Sequence, residues 1–259
     1  MKKQTRLTLT ATLAVTIGMT TGGLAHATVT FGDGGASLQS ILNNITKAPV
    51  NNASGINVNT DQLSSDSYWQ ISGSGGSFAQ IIIELAGNAN TNTVGIYDAT
   101  DPSKMITLFS GIESSGAQKL LTLGNDGSVI VNFMDTGIDF AGNAFGYFLN
   151  TGSTIFYSDK DLNADGIDHM VAFQGKGTDT IDLPATLPGV WSTNEYIMAW
   201  EDLPGGGDMD YNDFVLMTES VSPISMPDPS IQSIPEPSIL ALLGIGFLGL
   251  LGMPRIRNN

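Results

Sequence analysis

The chain is poor in cysteine, histidine and basic side chains. Its 259 residues include no cysteine, ten lysines and arginines, and two histidines. The absence of cysteine excludes a disulfide framework and a thiol nucleophile. The sequence also has no nucleophile elbow, His-rich zinc motif or phosphate-binding loop, so the usual motifs of hydrolases and nucleotide-binding enzymes are missing.

Half of the basic residues lie in the two terminal segments, at Lys2, Lys3, Arg6, Arg255 and Arg257. Without these segments, five lysines remain against 24 of the 25 acidic residues, which corresponds to a formal charge of about −19. Such a chain is repelled by nucleic acid phosphates and by anionic lipid surfaces. We therefore expect neither nucleic acid nor an anionic membrane surface as a partner of the processed chain.

The first 27 residues have the composition of a secretory signal peptide. A basic start is followed by a run of Leu, Ala, Val and Thr, and the segment ends in Ala25-His26-Ala27, an A-x-A cleavage site. The run is rich in threonine, which favours a cleaved signal over the alternative of an uncleaved anchor. The sequence therefore predicts export through the inner membrane.

Residues 235–259 combine a short motif, an apolar run and a basic end. Pro235-Glu236-Pro237 precede an uninterrupted apolar run, 239–253, and Arg255 and Arg257 follow it. We predict a single transmembrane helix over 238–253. The apolar run spans about 22 Å at about 1.5 Å per residue, which is short for a hydrocarbon core of about 30 Å. The positive-inside rule keeps the arginines in the cytoplasm.

This tripartite tail resembles the PEP-CTERM sorting signal of Gram-negative bacteria that make extracellular polysaccharide. The resemblance implies that a membrane-embedded exosortase recognises the tail and then releases or transfers the protein. Contact with the inner membrane would be transient, and the final location would be the cell surface or the extracellular polysaccharide matrix. A plain C-terminal anchor is the alternative interpretation.

Between the terminal segments the sequence predicts one β domain over 28–220 and a Pro-rich linker over 221–234. Short apolar segments alternate with clusters of Gly, Asn, Asp and Ser, which is typical of an all-β antiparallel β-sandwich or jelly roll. Only 38–45 has the apolar spacing of a short helix. The predicted strands are 68–71, 78–85, 94–97, 119–123, 129–133, 144–149, 154–157, 169–173, 195–200 and 213–218.

The strongest candidate for a functional site is an acidic stretch around the triple glycine 205–207. We call this stretch, 201–213, the second acidic loop, because another acidic loop precedes it in the chain. It contains Glu201, Asp202, Asp208, Asp210, Asn212 and Asp213. Two carboxylates about 4 Å apart repel by roughly 4 kcal/mol at an effective dielectric of about 20. Ca²⁺ would remove this repulsion, because it takes about 6–8 oxygen ligands from carboxylates, amides and backbone carbonyls. A solvated acidic hairpin is the alternative.

A first acidic loop, 158–169, lies upstream. It matches the first half of an EF-hand calcium loop at Asp161, Asn163, Asp165 and Gly166. The twelfth position is Ala172 rather than a bidentate Glu, so we do not expect a true EF-hand. The missing ligands would come from Asp168 or from the second acidic loop. Asn-Ala-Asp-Gly is also a good hairpin turn, and that alternative stays open.

Together the two loops resemble the paired motifs of an uncharacterised bacterial domain family of exported β-proteins. The motifs are Asn163-Ala164-Asp165-Gly166-Ile167-Asp168-His169, then Glu201-Asp202-Leu203 and Gly207-Asp208-Met209-Asp210-Tyr211-Asn212-Asp213-Phe214. Trp200 stands where the family usually has Phe, and the resemblance covers roughly 129–218. It implies a fold and a Ca²⁺ site but no reaction.

Each loop is an incomplete shell of oxygen ligands, so we predict that both contribute to one Ca²⁺-binding pole. The sequence leaves open whether 175–193 contains a strand, and therefore how many times the chain crosses the domain between the loops. The predicted ligands are Asp161, Asn163, Asp165, Asp168, Glu201, Asp202, Asp208, Asp210, Asn212 and Asp213.

We expect a structural or adhesive protein rather than an enzyme. The acidic residues are crowded at metal-ligand spacing, whereas glycoside hydrolysis needs a carboxylate pair set apart across a cleft. His169 is predicted to cap the first acidic loop or to begin a strand. The alternative function is a Ca²⁺-dependent, lectin-like polysaccharide-binding module that uses Trp or Tyr side chains. For that role Trp191 is predicted to be exposed, and Trp69 and Trp200 to be buried.

Overall fold

The computed structural model describes residues 29–72, 76–84, 90–111 and 113–226. In these ranges the chain forms two antiparallel sheets packed face to face, with a third layer on the outer face of one sheet. The prediction of an all-β, antiparallel fold is confirmed. The predicted signal peptide and transmembrane helix lie outside these ranges. Within the described ranges, no helix has the length and apolar character needed to span a bilayer.

The helix and strands follow one another along the chain, and their longest connections are 49–67 and the two acidic loops. Their bounds are α1 Ala36–Ile45, β1 Thr46–Ala48, β2 Tyr68–Ile71, β3 Ser77–Glu84, β4 Thr93–Asp98, β5 Asp101–Phe109, β6 Gln118–Leu123, β7 Ser128–Val131, β8 Met134–Asp139, β9 Ala144–Asn150, β10 Ile155–Tyr157, β11 Met170–Gln174, β12 Thr180–Ile181, β13 Gly189–Val190, β14 Glu195–Trp200, β15 Phe214–Glu219 and β16 Val221–Ile224. Two 3₁₀ turns, Lys160–Leu162 and Pro204–Gly206, lie in the acidic loops.

The two large sheets have different strand orders. The six-stranded sheet runs β16-β2-β9-β4-β5, and β10 pairs with β9. The seven-stranded sheet runs β11-β14-β15-β3-β6-β7-β8, and a small third sheet runs β1-β12-β13. The segment 175–193 thus contains two very short strands, and neither joins the seven-stranded sheet.

Three neighbouring strands at one side of the seven-stranded sheet, β11, β14 and β15, are buried on both faces. In β14, Met198 and Trp200 contact the core between the two large sheets, whereas Ile197 and Ala199 contact the outer core. The same alternation holds for β11 and β15. Burial on both faces explains why these strands are almost continuously apolar in the sequence. Each fully buried large aliphatic side chain contributes about 1.5–3 kcal/mol.

The third layer consists of α1, the small sheet and the loops between them. Leu38, Leu42 and Ile45 of α1 are buried in the outer core. Trp191 is buried there too, with 1% of its surface exposed, and its indole Nε1 donates to the Glu195 carbonyl oxygen at 3.1 Å. The prediction that Trp191 is exposed was wrong, because the third layer covers a turn that reads as a surface loop in the sequence.

The predicted helix and most predicted strands are confirmed, but three longer strands were missed. β5 begins with Asp101-Pro102, and β8 is largely exposed, so neither has the usual apolar pattern of a strand. β16 contains Pro223 and pairs with β2 along its whole length. The segment assigned to the linker from residue 221 therefore begins with a strand that belongs to the six-stranded sheet.

Candidate metal centre

Both acidic loops lie at one end of the seven-stranded sheet. β11 and β14 are antiparallel neighbours with Met170 opposite Trp200, and Trp200 also lies opposite Phe214 at the start of β15. The residues before β11, after β14 and before β15 therefore leave the sheet at the same end. This agrees with the prediction that the two loops share one pole of the domain.

Hydrogen bonds hold the two loops against each other. The Gly205 amide donates to Asp165 Oδ2 at 2.9 Å, and the Glu201 amide donates to the His169 carbonyl oxygen at 3.0 Å. The Tyr211 hydroxyl donates to the Asp168 carbonyl oxygen at 2.6 Å. The loops therefore form one structural unit.

His169, the last residue of the first loop, has a side chain that contacts both loops. Its imidazole is fully buried and stacks on Phe156 with ring centroids 3.8 Å apart. Nε2 lies 3.0 Å from Asp165 Oδ2, and Nδ1 lies 3.0 Å from the Glu201 carbonyl oxygen. Both partners are acceptors, so both hydrogen bonds form when each ring nitrogen carries a proton. His169 thus bonds to an acidic residue of its own loop and to the backbone of the second loop, and it directly precedes β11.

The polar side chains of the first acidic loop mainly hold that loop in shape. Asn163 is buried, accepts from the Tyr157 amide at 2.7 Å, and donates to the Tyr157 and Ile167 carbonyl oxygens at 3.1 and 2.8 Å. Asp161 has 79% of its side chain exposed and lies 3.9 Å from the Lys160 ammonium. Of these two predicted ligands, Asn163 therefore stabilises the conformation of its own loop, and Asp161 is a surface residue.

Asp165 is stabilised in its charged form. Burial alone would raise the pKa of its carboxyl, but hydrogen bonds from the Gly205 amide, His169 and the Ile167 amide lower the pKa to about 2. These three hydrogen bonds stabilise the negative charge of Asp165 without a metal ion. The role of this residue in the structure is to join the first loop to the second.

In the second acidic loop the carboxylates converge on Glu201. One group, here called the inner group, consists of Glu201, Asp202 and Asp213; the outer group consists of Glu201, Asp208 and Asp210. Within each group the ligand oxygens all lie within 4.8 Å of one another. Glu201 is 0% exposed and Asp202 is 3% exposed, whereas Asp208 lies on the surface. Among the described residues these are the two such groups, and the first loop contributes to neither.

The backbone makes room for the Glu201 carboxylate. Gly207 has φ 50° and ψ −127°, and a Cβ placed there would lie 2.1 Å from Glu201 Oε1. The Met209 and Leu203 amides donate to the two carboxylate oxygens at 3.1 and 3.3 Å. The third glycine of the Gly-Gly-Gly run is thus needed for the buried position of Glu201.

Burial and mutual repulsion strain these carboxylates electrostatically. Burial, and then the neighbouring Asp213 and Asp208, raise the pKa of Glu201 to about 8. Burial, with the Asp202 charge added, raises the pKa of Asp213 to about 6, although the Asp202 amide opposes the shift. Within the described residues no Lys or His forms a salt bridge with Glu201, Asp208, Asp210 or Asp213.

The other polar groups at this pole include two that the sequence-based prediction missed. Asp66 is buried close to Asp168, and burial followed by the charge of Asp168 raises its pKa well above the usual value. Asn92 is also buried, and its Nδ2 donates to Asp202 Oδ2 at 2.9 Å. No motif marks either residue, because each comes from a distant part of the chain. The predicted ligand Asn212 contacts Asp210 through its side-chain amide.

The aromatic residues considered for sugar binding are all inside the protein. Trp69 and Trp200 are 0% exposed, and Trp191 and Tyr211 are 1% exposed. The burial predicted for Trp69 and Trp200 is thus confirmed. None of the four rings can stack on a sugar at the surface.

Comparisons with known families agree with both resemblances. Residues 114–220 match the model of the family described as domain of unknown function (DUF4114), and residues 233–256 match the PEP-CTERM protein-sorting motif. No curated protein and no solved structure matched the chain. The family match covers both acidic loops and the strands β11, β14 and β15 that position them. The sorting motif indicates an exported protein that is processed by exosortase and located at the surface or outside the cell. The chain thus matches a PEP-CTERM protein that carries this domain of unknown function.

Proposed function

We propose that the protein is a Ca²⁺-stabilised structural or adhesive component of the cell surface or extracellular polysaccharide matrix. Export and exosortase processing follow from the sorting motif. The Ca²⁺ site and the structural role are proposed from the geometry of the acidic pole. Polysaccharide is the expected surrounding of the protein, since exosortase sorting is associated with bacteria that make it.

The observation that carries the proposal is the burial of Glu201. Its carboxylate is fully buried at the centre of four others and close to a glycine whose missing Cβ leaves it space. A buried charge is costly unless it is paired, protonated or bound to a metal ion. Repulsion among these carboxylates is what raises the pKa of Glu201 beyond the effect of burial. A divalent cation would remove both the repulsion and the need for a proton.

Calcium fits this pole better than magnesium. The available ligands are carboxylates, amides and carbonyls on irregular loops, and Ca²⁺ accepts 6–8 oxygens in flexible geometry, whereas Mg²⁺ requires a near-ideal octahedron. Extracellular modules bind Ca²⁺ with Kd on the order of 10⁻⁴–10⁻³ M. Such an affinity would leave the site largely empty inside the cell and fill it after export. The ion would then stabilise the domain where the domain works.

Thermal melting of the full chain in mild detergent tests the proposal. The melting temperature in excess Ca²⁺ should exceed those in excess Mg²⁺ and in chelator. Saturation at about 100 times Kd contributes roughly 2.7 kcal/mol to the free energy of unfolding. Equal melting temperatures in Ca²⁺ and in chelator would contradict the proposed Ca²⁺ site. KCl at matched ionic strength controls for screening of the chain's negative charge.

A further inference from the structure

Asn92 has a buried oxygen that lacks a partner. The residue precedes β4 of the six-stranded sheet and is 0% exposed. Its Oδ1 has no hydrogen-bond partner among the described residues. An unsatisfied buried polar atom costs about 1–3 kcal/mol, and native proteins usually satisfy such an atom with water or an ion.

The orientation of the Asn92 amide follows from its neighbour. Nδ2 lies 2.9 Å from Asp202 Oδ2, and a carboxylate oxygen can only accept a hydrogen bond. Turning the amide over would place two acceptors against each other, so Oδ1 is the free end. Bond lengths place Oδ1 about 2.2 Å from Nδ2. The unsatisfied oxygen therefore lies at most about 5 Å from Asp202 Oδ2, a carboxylate oxygen of an inner-group residue.

The inner group has the dimensions of one Ca²⁺ shell. Calcium–oxygen distances are about 2.3–2.6 Å, so two ligands on opposite sides of the ion lie up to about 5 Å apart. The ligand oxygens of Glu201, Asp202 and Asp213 all lie within 4.8 Å of one another. Three carboxylate ligands and one amide oxygen would leave the remaining coordination positions to backbone carbonyls or water.

We propose that Asn92 Oδ1 is a ligand of a Ca²⁺ ion held by Glu201, Asp202 and Asp213. The proposal rests on the proposed function and adds the position of the ion and one ligand from the opposite sheet. Asn92 directly precedes β4 of one large sheet. Glu201 directly follows β14 of the other sheet, and Asp213 directly precedes β15. An ion bound here joins the two sheets of the sandwich at one end.

The outer group lacks these features. Asp208 is exposed and Asp210 is half-buried. The side-chain amide of Asn212 already donates to the Asp210 carboxylate. No unsatisfied buried acceptor from the described residues accompanies that group. The inner group is therefore the one that the structure assigns to the ion.

Calorimetric titration of Ca²⁺ into the full, calcium-free chain in mild detergent tests the assignment. Asn92→Leu removes the oxygen and should lower the Ca²⁺ affinity at least about tenfold, by comparison with the 10–100-fold losses caused by mutations around metal ligands. Asp208→Asn should change the affinity less than about threefold. Asn143→Leu is the control. Asn143 lies before the first residue of β9 and bonds to the β2 backbone, whereas Asn92 lies beside the last residue of β9, so the two asparagines are at opposite ends of the six-stranded sheet. The Asn143→Leu variant should leave the affinity unchanged.

A second variant separates the oxygen from the rest of the side chain. Asn92→Asp keeps an oxygen for the ion but loses the Nδ2 donor to Asp202. It should retain Ca²⁺ binding within about threefold and show a larger Ca²⁺-induced rise in melting temperature than the wild type, because one more carboxylate is uncompensated without the ion. Equal loss of affinity in Asn92→Asp and Asn92→Leu would overturn the assignment, since it would point to the amide donor.

The outcomes separate this assignment from the proposed function. No Ca²⁺ binding by the wild type would overturn both. Binding by the wild type with unchanged affinity in Asn92→Leu would overturn only the ligand role of Asn92. A larger loss of affinity in Asp208→Asn than in Asn92→Leu would place the ion in the outer group.

Discussion

The two acidic loops have similar compositions, but Asp165 in the first loop and Glu201 in the second are in opposite electrostatic states. In the first loop, Asp165 is surrounded by donors and its pKa is lowered to about 2. In the second loop, Glu201 is buried among other carboxylates and its pKa is raised to about 8. The charge of Asp165 is thus satisfied from within the protein, whereas burial raises the pKa of Asp168 in the same loop to about 7. The second loop carries excess negative charge that an external cation would neutralise.

This difference shows that acidic composition alone does not identify a metal site. Asn163 and Asp165 match an EF-hand pattern, yet their oxygens are occupied by backbone amides and by His169. The second loop matches no standard calcium motif, yet it contains both carboxylate groups found among the described residues. The more informative property is how the donors to each carboxylate compare with its burial and with the negative charges around it: Glu201 also accepts from two amides, yet burial and the neighbouring carboxylates raise its pKa.

The largest predicted effect comes from adding one methyl group at the second loop. Gly207→Ala places a Cβ where Glu201 Oε1 now lies, and it also forces Ala into a backbone conformation that favours glycine. We expect a loss of at least about 2 kcal/mol in the free energy of unfolding, measured by urea denaturation, together with weaker Ca²⁺ binding.

The matched variant in the first loop is Gly166→Ala. Gly166 also has positive φ, 68°, but a Cβ there would have no atom within 4 Å. Only the cost of the left-handed conformation remains, about 1–2 kcal/mol, and Ca²⁺ affinity should not change. The contrast between the loops would break down if both variants lost the same stability and the same affinity.

The second prediction concerns pH. Without Ca²⁺, Glu201 and Asp213 hold protons in the folded state up to pKa values of about 8 and 6, above those of the unfolded chain. Folding then binds protons, so stability should fall as the pH rises from about 5 to 8. Asp165 has the opposite shift, and its contribution should be lost only as the pH falls toward about 2.

Melting temperatures of the chain between pH 5 and 8.5, in chelator and in saturating Ca²⁺, measure this effect. The fall at higher pH should be present in chelator and reduced by Ca²⁺, because the ion replaces the protons on its ligands. Glu201→Gln should make the fall in chelator less steep, and Asp213, Asp168 and Asp66, whose pKa values are also raised, account for the rest. A profile in chelator that rises steadily over this range would show that the second loop is not strained.

The sequence allowed the fold to be predicted where burial is regular. β11, β14 and β15 are apolar runs bounded by turn residues, and they were found within one residue at each end. β8 and β16 were missed because an exposed edge strand and a strand with proline lack that pattern. Trp191 was misplaced because the third layer that covers it comes from distant segments of the chain.

The site was only partly predictable for a similar reason. The motifs identified the loop that contains Glu201, Asp202 and Asp213, and strand pairing then brought it next to the first loop. Asn92 lies 110 positions from its partner Asp202 and in a polar stretch with several other asparagines. Only the folded arrangement of the two sheets distinguishes it from them.

The smallest predicted effect tests whether the loops share an ion. The hypothesis based on the sequence makes Asp165 and Asp210 ligands of one ion, so Asp165→Asn and Asp210→Asn would be strongly non-additive in Ca²⁺ binding. Because the inner group is assigned to the ion, Asp213→Asn takes the place of Asp210→Asn in the test. The geometry favours a different result, because Asp165 bonds to Gly205 and His169 and belongs to neither carboxylate group.

Asp165→Asn should lower stability by about 1–2 kcal/mol equally in Ca²⁺ and in chelator, since it weakens charged hydrogen bonds that need no ion. Asp213→Asn should reduce the Ca²⁺-dependent part and, at neutral pH, raise the stability in chelator, because it removes one of the mutually repelling carboxylates. In a double-mutant cycle the Ca²⁺-dependent losses should then add within about 0.5 kcal/mol. A larger coupling energy would make the first loop part of the ion's shell.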